Sequence, residues 1–342
     1  MKLRRFFIIC LALLMLTACA APTEAGNSCQ MDVLAMDTVM TLTIYGKNDR
    51  QGESILREAA GQIRELDGLL SVTDESSEIF RANHSGGLPV SLSDDTRSLL
   101  TEALSLCAST GGALDISIFP IVRAWGFTTE EYRVPAAAEL EDLLPRTDYT
   151  RIAVENGTLT MPEGMELDLG AVAKGYAGDR LMEFFAEQGV TSAIVSLGGN
   201  VQTLGAKPDG SPWRVAVQAP EGGYAGVLEV VGKAVITSGG YQRYFERDGK
   251  TYIHIIDPAT GCPVENELAS VTIAADSGTR GDGLSTALFV MGREGAAEYW
   301  REHRDFEFVL LMKDGSAAVT EGLEDCFSLY GEWENRPLEV IR

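Results

Sequence analysis

The sequence predicts an α+β fold, a single mixed domain with substantial antiparallel sheet and flanking helices, and three observations lead there. Strand-like runs cluster around the dipeptides Asn156-Gly157 and Asp248-Gly249, which supply the positive φ angles that tight hairpin turns demand. Only a few helical stretches interrupt those runs, so helix and strand do not alternate in the way that builds a parallel sheet. No GxGxxG follows a first strand, which removes the usual warrant for a doubly wound dinucleotide fold.

The elements follow in order. Alternating apolar residues from Val39 to Tyr45 read as a strand, and Ile55, Ile63, Leu66 and Leu70 line one face of the helix after it. A second helix runs from an N-cap at Ser93 to a stop at Gly111, and Pro135 opens a third, short one. Arg151 to Met161 reads as a hairpin around Asn156-Gly157. In Leu167 to Tyr176, LDLGAVAKGY, an apolar strand carrying Asp168 breaks at Gly170 and enters a small-residue helix bearing Lys174. That helix continues through Leu181, Phe184 and Phe185 to Gly189. From Thr191 to Ala275 the chain is mostly strands, and an apolar run from Leu284 to Met291 reads as helical.

With 45% hydrophobic residues in 342, the chain can build a full core, and no linker rich in Pro, Ser or Gly divides it. Lys2, Arg4 and Arg5 precede an apolar run from Phe6 to Leu16, the pattern of an export signal, too short to span a bilayer comfortably. Leu16-Thr17-Ala18-Cys19 resembles a bacterial lipobox, with Cys19 lipidated and made the first mature residue. The expected organisation is a signal over 1–18, a flexible tether over 19–30 and one domain over 31–342. Loss of those three cations from 28 basic residues leaves 25 against 50 acidic, so the formal charge moves from -22 to -25. Such a balance opposes binding to nucleic acid or anionic head groups. Cys29, Cys107, Cys262 and Cys326 remain after processing and allow either pairing or free thiols; no zinc-like spacing occurs. The P-loop, HExxH and GxSxG patterns are absent as well.

Two stretches carry chemistry. Asp282 and Thr286 are four apart, so on a helix their oxygens project from one face and can share a hard cation such as Mg2+, which accepts a few protein oxygens and completes its shell with water and phosphate. The same spacing fits an acid near a helix N-terminus that complements the dipole. In LDLGAVAKGY, Gly170 permits close approach of a bulky ligand, the helix N-terminus offers N–H groups to anions, and Lys174 adds charge one turn in. A strand-to-helix corner with a solvated lysine fits that stretch too. Of three histidines, His84 in a glycine-rich loop and His303 in a charged helical run read as solvated, and His254, in a strand, fits a hydrogen-bonded core or surface residue.

Seven pieces in order carry a family resemblance: Met36-Asp37-Thr38; Gly112 to Ser117 with Trp125-Gly126-Phe127 after it; LDLGAVAKGY; SLGGNV from Ser196; ITSGGYQRYF from Ile236; HIIDPATG from His254; and GDGLSTALFVMG from Gly281. Together they resemble the FAD:protein FMN transferase family, the ApbE-type lipoproteins. The resemblance implies Mg2+ held by Asp282, Thr286 and the carbonyl of Ala171, and FAD as the substrate bridging that ion. It implies flavin contacts at Met36, Ala113, Leu114, Asp115, Asp168, Lys174 and Ile256, and His254 as catalytic base. One departure is visible, since family members usually place a flavin-stacking aromatic where this chain has Thr73. The implied reaction is attack of an acceptor threonine hydroxyl on the FMN-side phosphorus of FAD, with AMP leaving. Acceptors would be membrane redox subunits or extracellular flavoproteins with a threonine motif, and the membrane would be met through the lipid anchor only. An FAD pyrophosphatase and a non-enzymatic flavin-binding lipoprotein are the alternatives.

Overall fold

The computed structural model describes residues 27–342, so the expected signal, the lipidation site Cys19 and most of the tether lie outside the described residues. Nine strands form one sheet in the order Ser28–Ala35, Thr38–Tyr45, Ala193–Leu197, Asn200–Leu204, Ala234–Gly239, Leu268–Ala275, Phe306–Met312, Ala317–Thr320 and Leu338–Ile341. Only the last two pair in parallel; every other neighbour is antiparallel. The architecture is therefore the mixed α+β one, with a large and mostly antiparallel sheet.

Among the described residues seven α-helices accompany the sheet: α1 Asp49–Leu70, α2 Glu78–Asn83, α3 Asp94–Ser109, α4 Phe119–Trp125, α5 Ala137–Leu143, α6 Ala173–Glu187 and α7 Gly278–His303. The long ones, α1, α3, α6 and α7, bury their apolar stripes with one face of the sheet, where Leu42, Ile63, Leu99, Phe185, Ile273 and Leu288 meet. A small sheet of Trp213–Gln218, Tyr224–Val230 and Phe327–Leu329 covers the other face through Trp213, Leu228, Val309 and Trp333. Sandwiched between the layers, every residue of Leu268–Ala275 is buried, Ser270 and Thr272 included. None of the described helices is long and apolar enough to cross a membrane.

Both hairpin dipeptides turn as expected: Asn156-Gly157 and Asp248-Gly249 all have positive φ and join antiparallel pairs. Ser93 caps α3, and Gly111 at φ 61° stops it.

Three readings are corrected. The stretch from Leu167 to Gly170 is not a strand, because the Asn83 side chain takes both the N–H and the carbonyl of Leu167, at 2.7 and 2.9 Å. The folded domain begins at Ser28, inside the stretch expected as tether, since Ser28 already pairs with Tyr45. His303 is half-buried, stacked on Tyr299 with ring centroids 3.9 Å apart, whereas His84 is exposed. Helices α2 and α4 and the strands after residue 304 had no periodic signal long enough to mark them. The four described cysteines are free thiols.

Candidate active site

Helices α6 and α7 cross at glycines. A Cβ on Gly175 would lie 2.2 Å from the Gly278 carbonyl oxygen, so the two backbones touch where no side chain fits. That contact seats Asp282, one turn into α7 and 5% exposed, against the first turn of α6. Its Oδ2 accepts from the Gly175 N–H at 2.9 Å, and its Oδ1 accepts from Asn200 Nδ2 at 2.9 Å.

Gly175 is the third residue of α6, so its N–H has no partner within the helix, and Asp282 supplies one. The carbonyl of half-buried Ala171, two residues before the helix, takes no hydrogen bond among the described residues and is open to a cation. Thr286, the next turn of α7, sits near the same corner, its hydroxyl 3.3 Å from Ser238 Oγ, which also bonds Ser285 at 2.7 Å. Among the described residues no three His, Cys, Asp or Glu side chains cluster to hold a metal. The donor set here is instead one carboxylate, one hydroxyl and one carbonyl, hard oxygens that suit Mg2+.

Charge at the corner is finely balanced. Burial raises the Asp282 carboxyl above its usual range, and Lys174, the Gly175 amide and Asn200 oppose that shift. Lys174 also acts on Asp168, whose carboxyl is raised by burial against the bond from the Gly170 N–H at 2.7 Å and the charges of Arg243 and Lys174. Lys174 thus links Asp168, Asp282 and His254, all three of which feel its charge.

His254 arrives on a different element. The hairpin of Tyr244–Arg247 and Lys250–Ile253 pairs Tyr244 with Ile253, so Arg243 and His254 form the next pair at its open end. Both His254 N and Nδ1 approach the Arg243 carbonyl, at 3.0 and 3.1 Å. A carbonyl only accepts, so Nδ1 carries the proton and Nε2 keeps its lone pair. Burial, with Arg243 and Lys174, lowers the His254 pKa to about 4. The ring is therefore a neutral acceptor at physiological pH.

The Trp125-Gly126-Phe127 motif braces this end. Trp125 Nε1 donates to the Gly261 carbonyl at 2.8 Å, and the Phe127 ring meets His254 edge-on at 6.4 Å. Asp115 is a brace as well: its oxygens accept from Ser117 N, Ser117 Oγ and Tyr149 N at 2.8, 2.6 and 3.0 Å. The carboxylate expected to contact flavin thus joins its own loop to the turn at Tyr149. Leu114 is buried and Ala113 half-buried beside it, and the bond from Asp168 N to the Ile116 carbonyl at 2.8 Å ties this loop to the Lys174 corner.

The remaining expected positions lie on other elements. Half-buried Met36 takes φ 48° in the turn between Ser28–Ala35 and Thr38–Tyr45. Ile256 is 5% exposed in a separate apolar cluster with Trp125, Phe127 and Phe245. Thr73 is exposed just beyond α1. A cleft of about 1220 Å3 between Asp257, Glu267, Gly292 and Arg301 includes none of these positions.

Sequence reasoning missed the residues that hold the others. Asn200 orients Asp282; Gln202 bonds the Gly175 carbonyl at 2.8 Å. Asp179 caps α7 through Thr279 N at 2.8 Å. Asn200, Ser238 and Arg243 do lie inside SLGGNV and ITSGGYQRYF, so the motifs held the signal without showing the contacts.

Comparison with known proteins places this geometry. The ApbE family model matches residues 36–310. A FAD:protein FMN transferase of Salmonella typhimurium is 32% identical over 337 residues, covering 94% of this chain and 96% of its own. One from Vibrio cholerae is 33% identical over 301 residues, covering 85% and 89%. The solved apo flavinyl transferase ApbE of Pseudomonas stutzeri superposes with a TM-score of 0.80 at 30% identity, covering 90% of this chain and 98% of its own. An ApbE protein from Thermotoga maritima gives the same TM-score at 29% identity, covering 86% and 98%.

Proposed function

The chain belongs to the ApbE family, and from that premise and the geometry of its α6/α7 corner we propose that it transfers the FMN half of FAD to a threonine hydroxyl of an acceptor protein, releasing AMP. The observation that carries this reading is the bond from the Gly175 N–H to Asp282, which seats that carboxylate at the start of α6, where the Ala171 carbonyl takes no hydrogen bond among the described residues. Asp282, Thr286 and that carbonyl would hold Mg2+. When bound, the ion supplies Lewis-acid neutralisation of pyrophosphate charge.

The chain's own groups do the rest. His254 Nε2, kept neutral and with its other nitrogen tied to a carbonyl, takes the proton of the attacking hydroxyl. Lys174 brings positive charge to the anionic substrate in a chain whose net charge is -22, which predicts steep dependence on divalent cation. Asn200 and Gln202 hold the α6/α7 crossing in register. Export and lipid attachment at Cys19 belong to the same proposal and rest on the lipobox-like Leu16 to Cys19 alone. They would put the domain beside membrane redox subunits or extracellular flavoproteins as acceptors.

The test mixes purified domain, FAD, Mg2+ and a candidate acceptor and reads flavin fluorescence that survives denaturing electrophoresis. Labelled acceptor is expected from the wild type and none from Asp282→Ala. Unchanged labelling by that variant removes the metal assignment. Free FMN and AMP without labelled acceptor would mark a pyrophosphatase, and intact FAD would leave a flavin-binding protein.

A further inference from the structure

Several cations in this acidic chain are paired, Arg123 with Glu166, Arg133 with Glu139, Arg280 with Asp305 and Arg336 with Glu221. Arg243 and Lys174 have no carboxylate at ion-pair distance among the described residues, yet both act on His254 and Asp168. Two unpaired cations therefore converge on one acid and one neutral histidine. Arg243 is also fixed. Its Nη2 donates to the Phe127 carbonyl, and its backbone carbonyl holds His254. One of five guanidinium N–H groups is used in that anchor, which leaves a fork suited to two oxygens of a phosphate.

We propose that Arg243 is a phosphate-contacting residue that, with Lys174, grips the FAD pyrophosphate on the His254 side. The inference rests on the transferase reading and adds a residue that the family resemblance did not assign. In the step concerned, the acceptor Oγ–P bond forms while the P–O bond to AMP breaks. The bonding pair leaves with AMP, and the hydroxyl proton passes to His254 Nε2. The Arg243 guanidinium faces the non-bridging oxygens through that step and shares their negative charge. Its anchor on the hairpin end keeps donor and base in fixed relation, so substrate phosphate and the attacking hydroxyl meet at one place.

The experiment uses the mature chain on a His254→Ala background, which blocks turnover, and measures binding of FAD and of riboflavin by fluorescence quenching with Mg2+ present. Riboflavin has the same ring and no phosphate. Arg243→Ala should weaken FAD by about tenfold or more and leave riboflavin within about twofold, with Arg243→Lys recovering part of the loss. Equal loss for both ligands would make Arg243 a structural brace, and unchanged FAD affinity would remove it from the site; either result overturns the proposal. If the wild type only hydrolyses FAD, transfer fails as the function while the split between FAD and riboflavin still upholds Arg243. A wild type that binds no FAD overturns both.

Discussion

The two halves of the site are held in opposite ways. At the α6/α7 crossing, Asp282 is buried, bonded through both oxygens, and seated where two glycine backbones touch. At the hairpin end, Arg243 is exposed and His254 half-buried, and one backbone carbonyl holds the histidine. The proposed cation would need donors that do not move, and close packing supplies them. A base must meet a protein acceptor arriving from outside, which demands a place at the rim. The difference predicts that chemistry is lost cleanly at the rim, whereas at the crossing it is lost together with stability.

The largest effect separates these outcomes. His254→Ala should lower transfer by a factor of about 100 to 10,000 while FAD affinity and melting temperature hardly change. A matching loss of FAD binding would mean the ring holds substrate. The pH profile sharpens the test. A base works only unprotonated, and the cations Arg243 and Lys174 disfavour the protonated ring, with Asp168 the acid facing them. Since kcat/KM reports the free enzyme, its acid limb governed by His254 should fall toward pH 4. In kcat the limb should lie higher, because bound phosphate offsets those two cations. An acid limb in kcat/KM near the ordinary histidine value of about 6.5 would place His254 in solvent.

Next comes a pair of glycines. Gly175→Ala would push a methyl to 2.2 Å from the Gly278 carbonyl, and helices must part to admit it. About 1–3 kcal/mol of stability should go, and with Asp282 displaced transfer should fall on the order of 100-fold. Gly249→Ala in the hairpin turn, φ 76° with open space around it, should cost roughly 1 kcal/mol of backbone strain and little activity. Urea melts of the two variants beside transfer rates decide it. Equal activity losses would erase the distinction between crossing and rim.

The legibility of the site follows the same division. Asp282 and Thr286 were visible because a helix converts a four-residue spacing into one face, and α7 is a helix there. The turns at Asn156-Gly157 and Asp248-Gly249 were visible because a positive φ leaves a residue-type signature. The pairing of Arg243 with His254 was not, although the hairpin between them was, because neither residue type reports what its carbonyl or guanidinium will touch. Asn200 was hidden for a related reason: it lies 82 positions from Asp282, and only the order of strands in the sheet brings them together. Asp115 is a mixed case: its motif was legible, but its bonds to Ser117 and to the distant Tyr149 were not.

The smallest effect is expected at Thr73, where the family resemblance leads one to expect an aromatic. Its loop is shaped by Ser71, whose Oγ accepts from Thr73 N and Asp74 N at 3.1 and 3.0 Å. The Thr73 hydroxyl adds only one exposed contact, 3.2 Å from Ser71 Oγ. Thr73→Tyr therefore removes little that supports the fold and offers a ring to the flavin. Stacking of this kind is worth about 0.5–1.5 kcal/mol, which is about two- to tenfold in affinity. Because the gain is to the ring system, FAD and riboflavin should tighten alike, the opposite of the split expected at Arg243. If riboflavin quenching by Thr73→Tyr matches the wild type, the flavin lies away from α1, and the rim of the site is made by the hairpin and the Asp115 loop instead.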